Sequence, residues 1–402
     1  MEYDAEVAVV GTGSMGALSA WQLARRGIRP MCFEQFAPGH DRGSAGGESR
    51  LFRTAYAEGS RYVPLLREAR KQWRELEAES GVPLLTINSG LMIGSRGGDF
   101  LAGVRTSIED HGIDHEVLDS DELQKRFPQH SIGDDEEAIL DHESGYLRPE
   151  LAVAIAAEEA ERSGAKIHTH TPVRRLRRES DSIVVVTDER EYRFPRIIVT
   201  TGAWTNKLLP GLTPALNVQR LIMTWFPTRY PEQFRSNVFP IFVRRANGYD
   251  ISGWPTLDGT SVKVCINYGW DHVADVDTVN RTVDDRLFAP ISEAVTRFLP
   301  SLIPEPARVG VYFDGYTNDH HPFVGLLPAD ERIVVMGGFS GHGFKMASAL
   351  GLAAAELIDQ GKTRLPIDHL TPSRFSSTPT VEDQCPDRQP RQLQPAPTSR
   401  RF

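Results

Sequence analysis

Two glycine-rich stretches, "GTGSMG" at 11–16 and "GFSGHGFK" at 338–345, are of a kind that lets backbone approach an anion closely. The first follows the apolar run "AEVAVV" and satisfies G-x-G-x-x-G through Gly11, Gly13 and Gly16. In a strand–turn–helix each glycine has its own duty. Gly11 permits the tight turn, Gly13 lets backbone reach a pyrophosphate, and Gly16 lets the helix lie close on the strand. The helix opening at Ser14 and Met15 then offers free N–H groups and a partial positive charge to phosphates. Glu34 ends the following strand, where a carboxylate accepts hydrogen bonds from ribose hydroxyls and disfavours a 2′-phosphate. This loop asks for an ADP-containing dinucleotide and leaves NAD and FAD both open.

The closing stretch fails two familiar tests. A phosphate-binding P-loop needs lysine where Phe344 stands, and Lys345 is followed by Met346 rather than by a hydroxyl. A nucleophile elbow needs glycine where His342 stands. What remains is a flexible turn between a strand and a helix, with N–H groups and Lys345 facing an anion. Lys263, in "SVKVCIN", lies in an apolar strand-like run, where a lysine is costly unless paired, hydrated or snorkelling to water. His168 and His170 alternate along a strand, and His320 and His321 are adjacent, but no carboxylate or cysteine cluster completes a metal site, so no metal is expected.

The elements that position these residues read as an α/β chain. A strand at 5–10, a helix from Ser14 to about Arg26 stopped by Gly27, and a strand at 29–34 form the opening unit. From Pro149 an alanine-rich helix runs to Gly164 and leads into the strand "KIHTHTPV". A hairpin-like pair and a buried strand at 196–201 follow, while "RRLRRES" reads as solvated charge. Residues 216–270, rich in aromatic and β-branched residues, read as antiparallel sheet. "RIVVMGGFSGHGFKMASALGLAAAELIDQG" is strand, glycine loop and long helix, and after Phe375 the composition is that of a disordered tail.

With 402 residues, 40% of them hydrophobic, the chain has enough material for two packed lobes. A net charge of −9 speaks against nucleic acid or anionic membrane as partner. No apolar run approaches the roughly 20 residues of a membrane-spanning helix. The early strand argues against a cleavable signal peptide, and three cysteines without pairing pattern suit a reducing cytoplasm.

Taken together, "GTGSMG", "GESRLFRTAYAEGSRYVPL" (47–65), "TTGAWTNKLL" (200–209) and "GFSGHGFKMASALG" resemble the monomeric sarcosine oxidase and N-methyltryptophan oxidase family, from about residue 4 to 375. These are FAD-dependent amine oxidases of the D-amino-acid-oxidase-like fold. The resemblance implies a Rossmann-like FAD-binding domain from 1–85, 145–215 and 319–375, and a substrate domain with a mostly antiparallel sheet from 86–144 and 216–318. The first glycine loop would hold the ADP half of FAD, and the last loop would reach the flavin and substrate. Gly11, Gly13, Ser14, Met15, Gly16, Glu34, Ser44, Arg50, Val173, Gly202, Trp204, Gly341, Gly343, Phe344 and Lys345 would then line the cofactor.

Arg53 and Lys345 match the family's carboxylate-binding pair, with a surface salt bridge among Arg50, Arg53 and Glu58 as the plain alternative. Lys263 matches the lysine that activates oxygen over the flavin, where a cation stabilises developing superoxide. Arg50 matches an arginine near the flavin. The chain also departs from the pattern. Tyr312 stands where sarcosine oxidases carry the flavin-attaching cysteine, Ala45 and Gly46 replace paired histidines, and Asn267 replaces an active-site histidine. FAD is therefore expected to be tightly but non-covalently bound, and the substrate pocket to be remodelled. The expected reaction is oxidation of an N-methyl or cyclic amino acid, or another carboxylate-bearing secondary amine, to an imine, with O2 giving H2O2 and the chain a monomer. The alternatives are a flavin dehydrogenase using another acceptor, a nicotinamide dehydrogenase, and a non-catalytic FAD-stabilised scaffold.

Overall fold

A computed structural model describes residues 2–267 and 271–375; the stretch read above as a disordered tail lies outside them. A six-stranded sheet runs in the order Phe323–Leu327, Asp330–Gly337, Ile197–Val199, Ala8–Val10, Met31–Phe33, Lys166–His168. All its neighbours are parallel except the first pair. Parallel strands need crossovers, and the glycine-loop helix Ser14–Arg25 supplies the first. Its neighbours on the sheet are helices Pro149–Arg162 and Ala347–Gln360.

Strand periodicity divides the apolar residues between two cores. Val7 and Val9 face the helices together with Leu18, Trp21 and Leu350. Ala8 and Val10 face the other side, with Phe33, Val185 and Phe194. That second face is covered by an antiparallel meander, Arg175–Arg178, Ile183–Val186 and Glu191–Phe194. The arginine-rich segment, read as solvated charge at a strand end, forms its first strand.

An eight-stranded sheet runs in the order Arg308–Tyr316, Asn217–Pro227, Ser261–Ile266, Tyr249–Gly253, Ile241–Ala246, Gly90–Ser95, Glu136–Asp141, His115–Leu118. It is antiparallel except where Ile241–Ala246 pairs parallel with Gly90–Ser95. Val262, Val264 and Ile266 pack on one face with Val295 and Phe298 of helix Asp285–Phe298. Lys263 and Cys265 must then face the other way. A small antiparallel sheet of Arg50–Phe52, Gly145–Leu147 and Leu85–Ile87 completes the sheets among the described residues.

The short strands end sooner than the sequence suggests. The strand at 166 closes at His168, and His170 sits in the left-handed region at φ 54°, its N–H bonded to the Phe36 carbonyl. The alternation expected to put both histidines on one face is lost in that turn. The glycine turn follows the reading: Gly11 adopts φ +86°, and a Cβ on Gly16 would stand 1.9 Å from the Gly11 carbonyl oxygen. Gly16→Ala must therefore push the helix off its strand. It should destabilise the fold by about 1–3 kcal/mol in chemical unfolding; an unchanged midpoint would contradict this packing.

Candidate active site

A cavity of about 240 Å³ opens at the glycine turn. Its lining includes the predicted residues Gly11, Gly13, Ser14, Met15, Glu34, Ser44, Val173, Gly202 and Trp204. It also includes Thr200, Thr201, Gly338 and Phe339 from the stretches quoted above, and Phe313 and Asp314, which the sequence did not mark out. A Cβ added to Gly13 would meet nothing within 4 Å, so this turn leaves room for a ligand to lie against its backbone. Glu34 is buried; its carboxylate accepts from the Thr12 N–H at 2.8 Å and the Phe36 N–H at 3.0 Å. A carboxylate offers about four acceptor positions, so capacity for ribose hydroxyls remains. These features fit the ADP portion of a dinucleotide.

Gly16 lies beneath the loop as packing, whereas Gly341, Gly343, Phe344 and Lys345 do not line the cavity. Phe344 stacks on Trp73, with ring centroids 5.7 Å apart. The Gly341 N–H donates to Asp314 at 2.9 Å, which ties the closing loop to strand Arg308–Tyr316. Asp314 also accepts from the Gly315 N–H at 2.8 Å. Burial nevertheless raises its carboxyl to about 6. A lone carboxylate in the apolar run "VYFDGY" carries the same sequence signal as Lys263 and could have been found by it.

Lys263 is 1% exposed. Its ammonium donates to the carbonyls of Gly47 at 2.8 Å and Ser49 at 2.7 Å, and lies 4.2 Å from the centroid of the Trp254 ring. Arg50 donates to the Ser49 carbonyl at 2.8 Å and the Ser44 carbonyl at 2.6 Å. The turn that presents these carbonyls is anchored by Glu150, which accepts from the N–H groups of Gly47 and Glu48. Burial, reinforced by Arg50, pulls Lys263 down to about 7.

Arg53 and Lys345 form a second group, close to Tyr56, Glu58 and His342. Strand Arg50–Phe52 leads from one group to the other and lies against the turn Phe344–Met346. The Arg53–Glu58 pair is real, at 2.9 Å, but Arg53 is 5% exposed, so it is no surface salt bridge. Arg53 Nε and Nη1 are buried without a hydrogen-bond partner, and so is one Glu58 oxygen. Burial pushes Glu58 up, yet the basic groups of Arg53, His342, Arg245 and Lys345, with Arg53 foremost among them, together hold the carboxyl well below the usual range.

Asn267, exposed at the end of its strand, donates to Asp250 at 2.7 Å and Ser252 at 2.8 Å. Tyr312 is absent from the cavity wall and packs with Met223, Trp225 and Cys265. A Cβ on Gly46 would meet the Tyr312 ring at 2.2 Å, so the glycine there makes room for the tyrosine. Cys265, two residues from Lys263, is the described cysteine on this side; burial raises its thiol.

Fold and cavity together have the form of a dinucleotide-binding protein of mixed α/β architecture. Across residues 6–357 the chain matches the family described as FAD dependent oxidoreductase, and it belongs to that family. It is 32% identical to the monomeric sarcosine oxidase of Streptomyces avermitilis over 378 residues, 93% of this chain and 98% of that protein. It is 30% identical to the N-methyl-L-tryptophan oxidase of Yersinia pestis over 384 residues, 93% of this chain and all of that protein. Two solved structures share the fold, each at 22% identity with a TM-score of 0.81. One is NikD, an amino acid oxidase essential for nikkomycin biosynthesis, with 92% of this chain and 98% of that one covered. The other is L-proline dehydrogenase from P. horikoshii, with 94% and 99% covered.

The buried Arg53–Glu58 pair has a direct consequence for stability. Arg53→Gln leaves Glu58 buried without its cation and should cost about 3 kcal/mol in chemical unfolding, while adding Glu58→Gln should restore part of that loss. Equal stabilities for the wild type and the Arg53→Gln variant would contradict the pairing.

Proposed function

We propose that the protein oxidises the C–N bond of a carboxylate-bearing secondary amine or amino acid, N-methyl or cyclic, to an imine, with O2 as acceptor and H2O2 as product. One observation carries the reading. Arg53 is buried beside Lys345 with two of its nitrogens unpartnered, a demand that an incoming carboxylate meets. A planar guanidinium accepts a carboxylate in a two-bond fork, and a second cation reinforces the grip.

FAD, when bound, supplies the ring that accepts the two electrons and passes them to O2. Gly11, Gly13, Ser14, Met15, Glu34 and Val173 would hold its ADP half. Arg53 and Lys345 would fix the substrate by its carboxylate, turning a two-body encounter into a held geometry. Lys263 and Arg50 give the other group a positive field paired mainly with carbonyl oxygens, suited to stabilising an anion that forms from O2. Asn267, with Asp250 and Ser252, would shape the pocket rim. The chain is read as a cytoplasmic monomer; no helix among the described residues is long and apolar enough to cross a membrane.

The FAD is read as non-covalent; Tyr312 at the position of the attaching cysteine and the raised thiol of Cys265 support this. Acid precipitation should leave the flavin in the supernatant. Flavin retained in the pellet refutes this, and its release by Cys265→Ser would then identify the attachment point. For the oxygen step, Lys263→Met should slow aerobic reoxidation of the reduced enzyme on the order of 100-fold and anaerobic reduction by substrate far less. Stopped-flow traces showing equal slowing of both half-reactions would remove the assigned role. Peroxide release from a panel of N-methyl and cyclic amino acids tests the reaction itself.

A further inference from the structure

Lys345 is 4% exposed, and its Nζ donates to two neutral oxygens, the His342 carbonyl at 2.8 Å and the Tyr56 hydroxyl at 3.3 Å. The Tyr56 hydroxyl lies 2.7 Å from His342 Nδ1, and His342 Nε2 lies 2.9 Å from the His320 carbonyl. A carbonyl only accepts, so Nε2 carries the ring hydrogen and Nδ1 accepts from Tyr56. Tyr56 thereby directs its hydrogen to His342 and its lone pair to Lys345. Burial, with the Lys345 charge adding to it, lowers His342 to about 4, so the ring stays neutral.

The charges around Lys345 already sum to zero without it. Glu58 answers Arg53, and Arg245 pairs with Asp250 at 2.6 Å. Asp250 acts on Arg53 and Arg245 acts on Glu58, so these two pairs also see each other. A charged Lys345 would be an unbalanced cation next to Arg53. Burial, followed by Arg53, draws it down to about 7, with Glu58 opposing.

We propose that binding of a carboxylate beside Arg53 is coupled to the uptake of one proton by the Lys345 amine. This rests on the carboxylate-site reading above. Before binding, Arg53 and Glu58 balance and Lys345 is an amine. After binding, the new carboxylate balances a new ammonium, so the buried site is neutral in both states. The step forms one N–H bond on Nζ with a proton from the buffer and moves no electrons. Two of the three ammonium hydrogens go to the His342 carbonyl and Tyr56, and the third is free for the ligand.

The test uses the FAD-loaded enzyme and methoxyacetate, a carboxylate without an amine, with binding followed by the flavin spectrum. Calorimetry in two buffers of unlike ionisation heat counts the protons. Uptake should approach one at about pH 8.5 and fall near zero at about pH 6, and Kd should weaken towards tenfold per pH unit above about 7. Lys345→Arg, whose guanidinium stays charged, should bind with no uptake and a Kd that is flat with pH. Binding at the higher pH without uptake overturns the coupling and leaves the carboxylate site standing. Uptake that persists in Lys345→Arg assigns the proton elsewhere and also overturns it. Failure of the wild type to bind at any pH removes the carboxylate site and the coupling together. The wild-type measurements decide the matter even if the variant does not fold.

Discussion

Four basic side chains, Arg50, Arg53, Lys263 and Lys345, lie within a few strands of one another, and two of the four are lysines almost wholly cut off from water. Removing a cation from water costs several kcal/mol unless nearby groups replace its hydration. The chain meets that cost in two different ways. Arg50 and Lys263 are given backbone carbonyls, whose dipoles solvate a positive charge without cancelling it. Arg53 is given a full counter-charge in Glu58. The first arrangement keeps a positive field; the second gives a locally neutral place that still has unused N–H groups.

The carbonyl arrangement explains why so much structure surrounds a short turn. Ser44, Gly47 and Ser49 turn their carbonyl oxygens to the cations, and the N–H groups of Gly47 and Glu48 then need an acceptor elsewhere. Glu150 provides one from the first turn of helix Pro149–Arg162, which also packs on the glycine-loop helix. The carbonyl cage and the dinucleotide loop are thus fastened to the same helical layer. At the other end, Asp314 and the bridge between Tyr316 and Phe339 fasten the closing loop to a strand of the eight-stranded sheet. Each glycine-rich loop is held by a carboxylate, Glu34 in one case and Asp314 in the other.

What could be read from the sequence follows the range of the interaction that defines it. The opening loop and helices 14–25 and 149–162 were legible because spacing, stop glycines and apolar period are local. Lys263 stood out by contrast with its own neighbours on the strand. Tyr56 and His342 did not, since their part depends on contacts such as the one between them across 286 residues, while Glu58 was visible only as a partner in a surface salt bridge. His342 was visible only as the residue that spoiled another motif. The tertiary setting also overrode local pattern at His170, where the turn onto Phe36 ended the strand. Arg175–Arg178 hid its strand because three of its four residues are arginine, on a sheet with one face to solvent.

The two modes of solvating a cation suit different anions. A species that arrives charged, such as a carboxylate, brings its own negative charge into the protein, and a site neutral beforehand must find one more positive charge to stay neutral. A lysine held near its discharge point beside a paired arginine supplies it on demand. A species that becomes anionic only during reaction needs the reverse: a field already standing and not cancelled, because no rearrangement can keep pace with an electron. Carbonyl-solvated Arg50 meets that condition, and Lys263, which burial draws down to about 7, adds to the field when protonated, since carbonyl dipoles stabilise a cation and leave its net charge in place. Strand Arg50–Phe52, leading directly into Arg53, places one example of each within three residues.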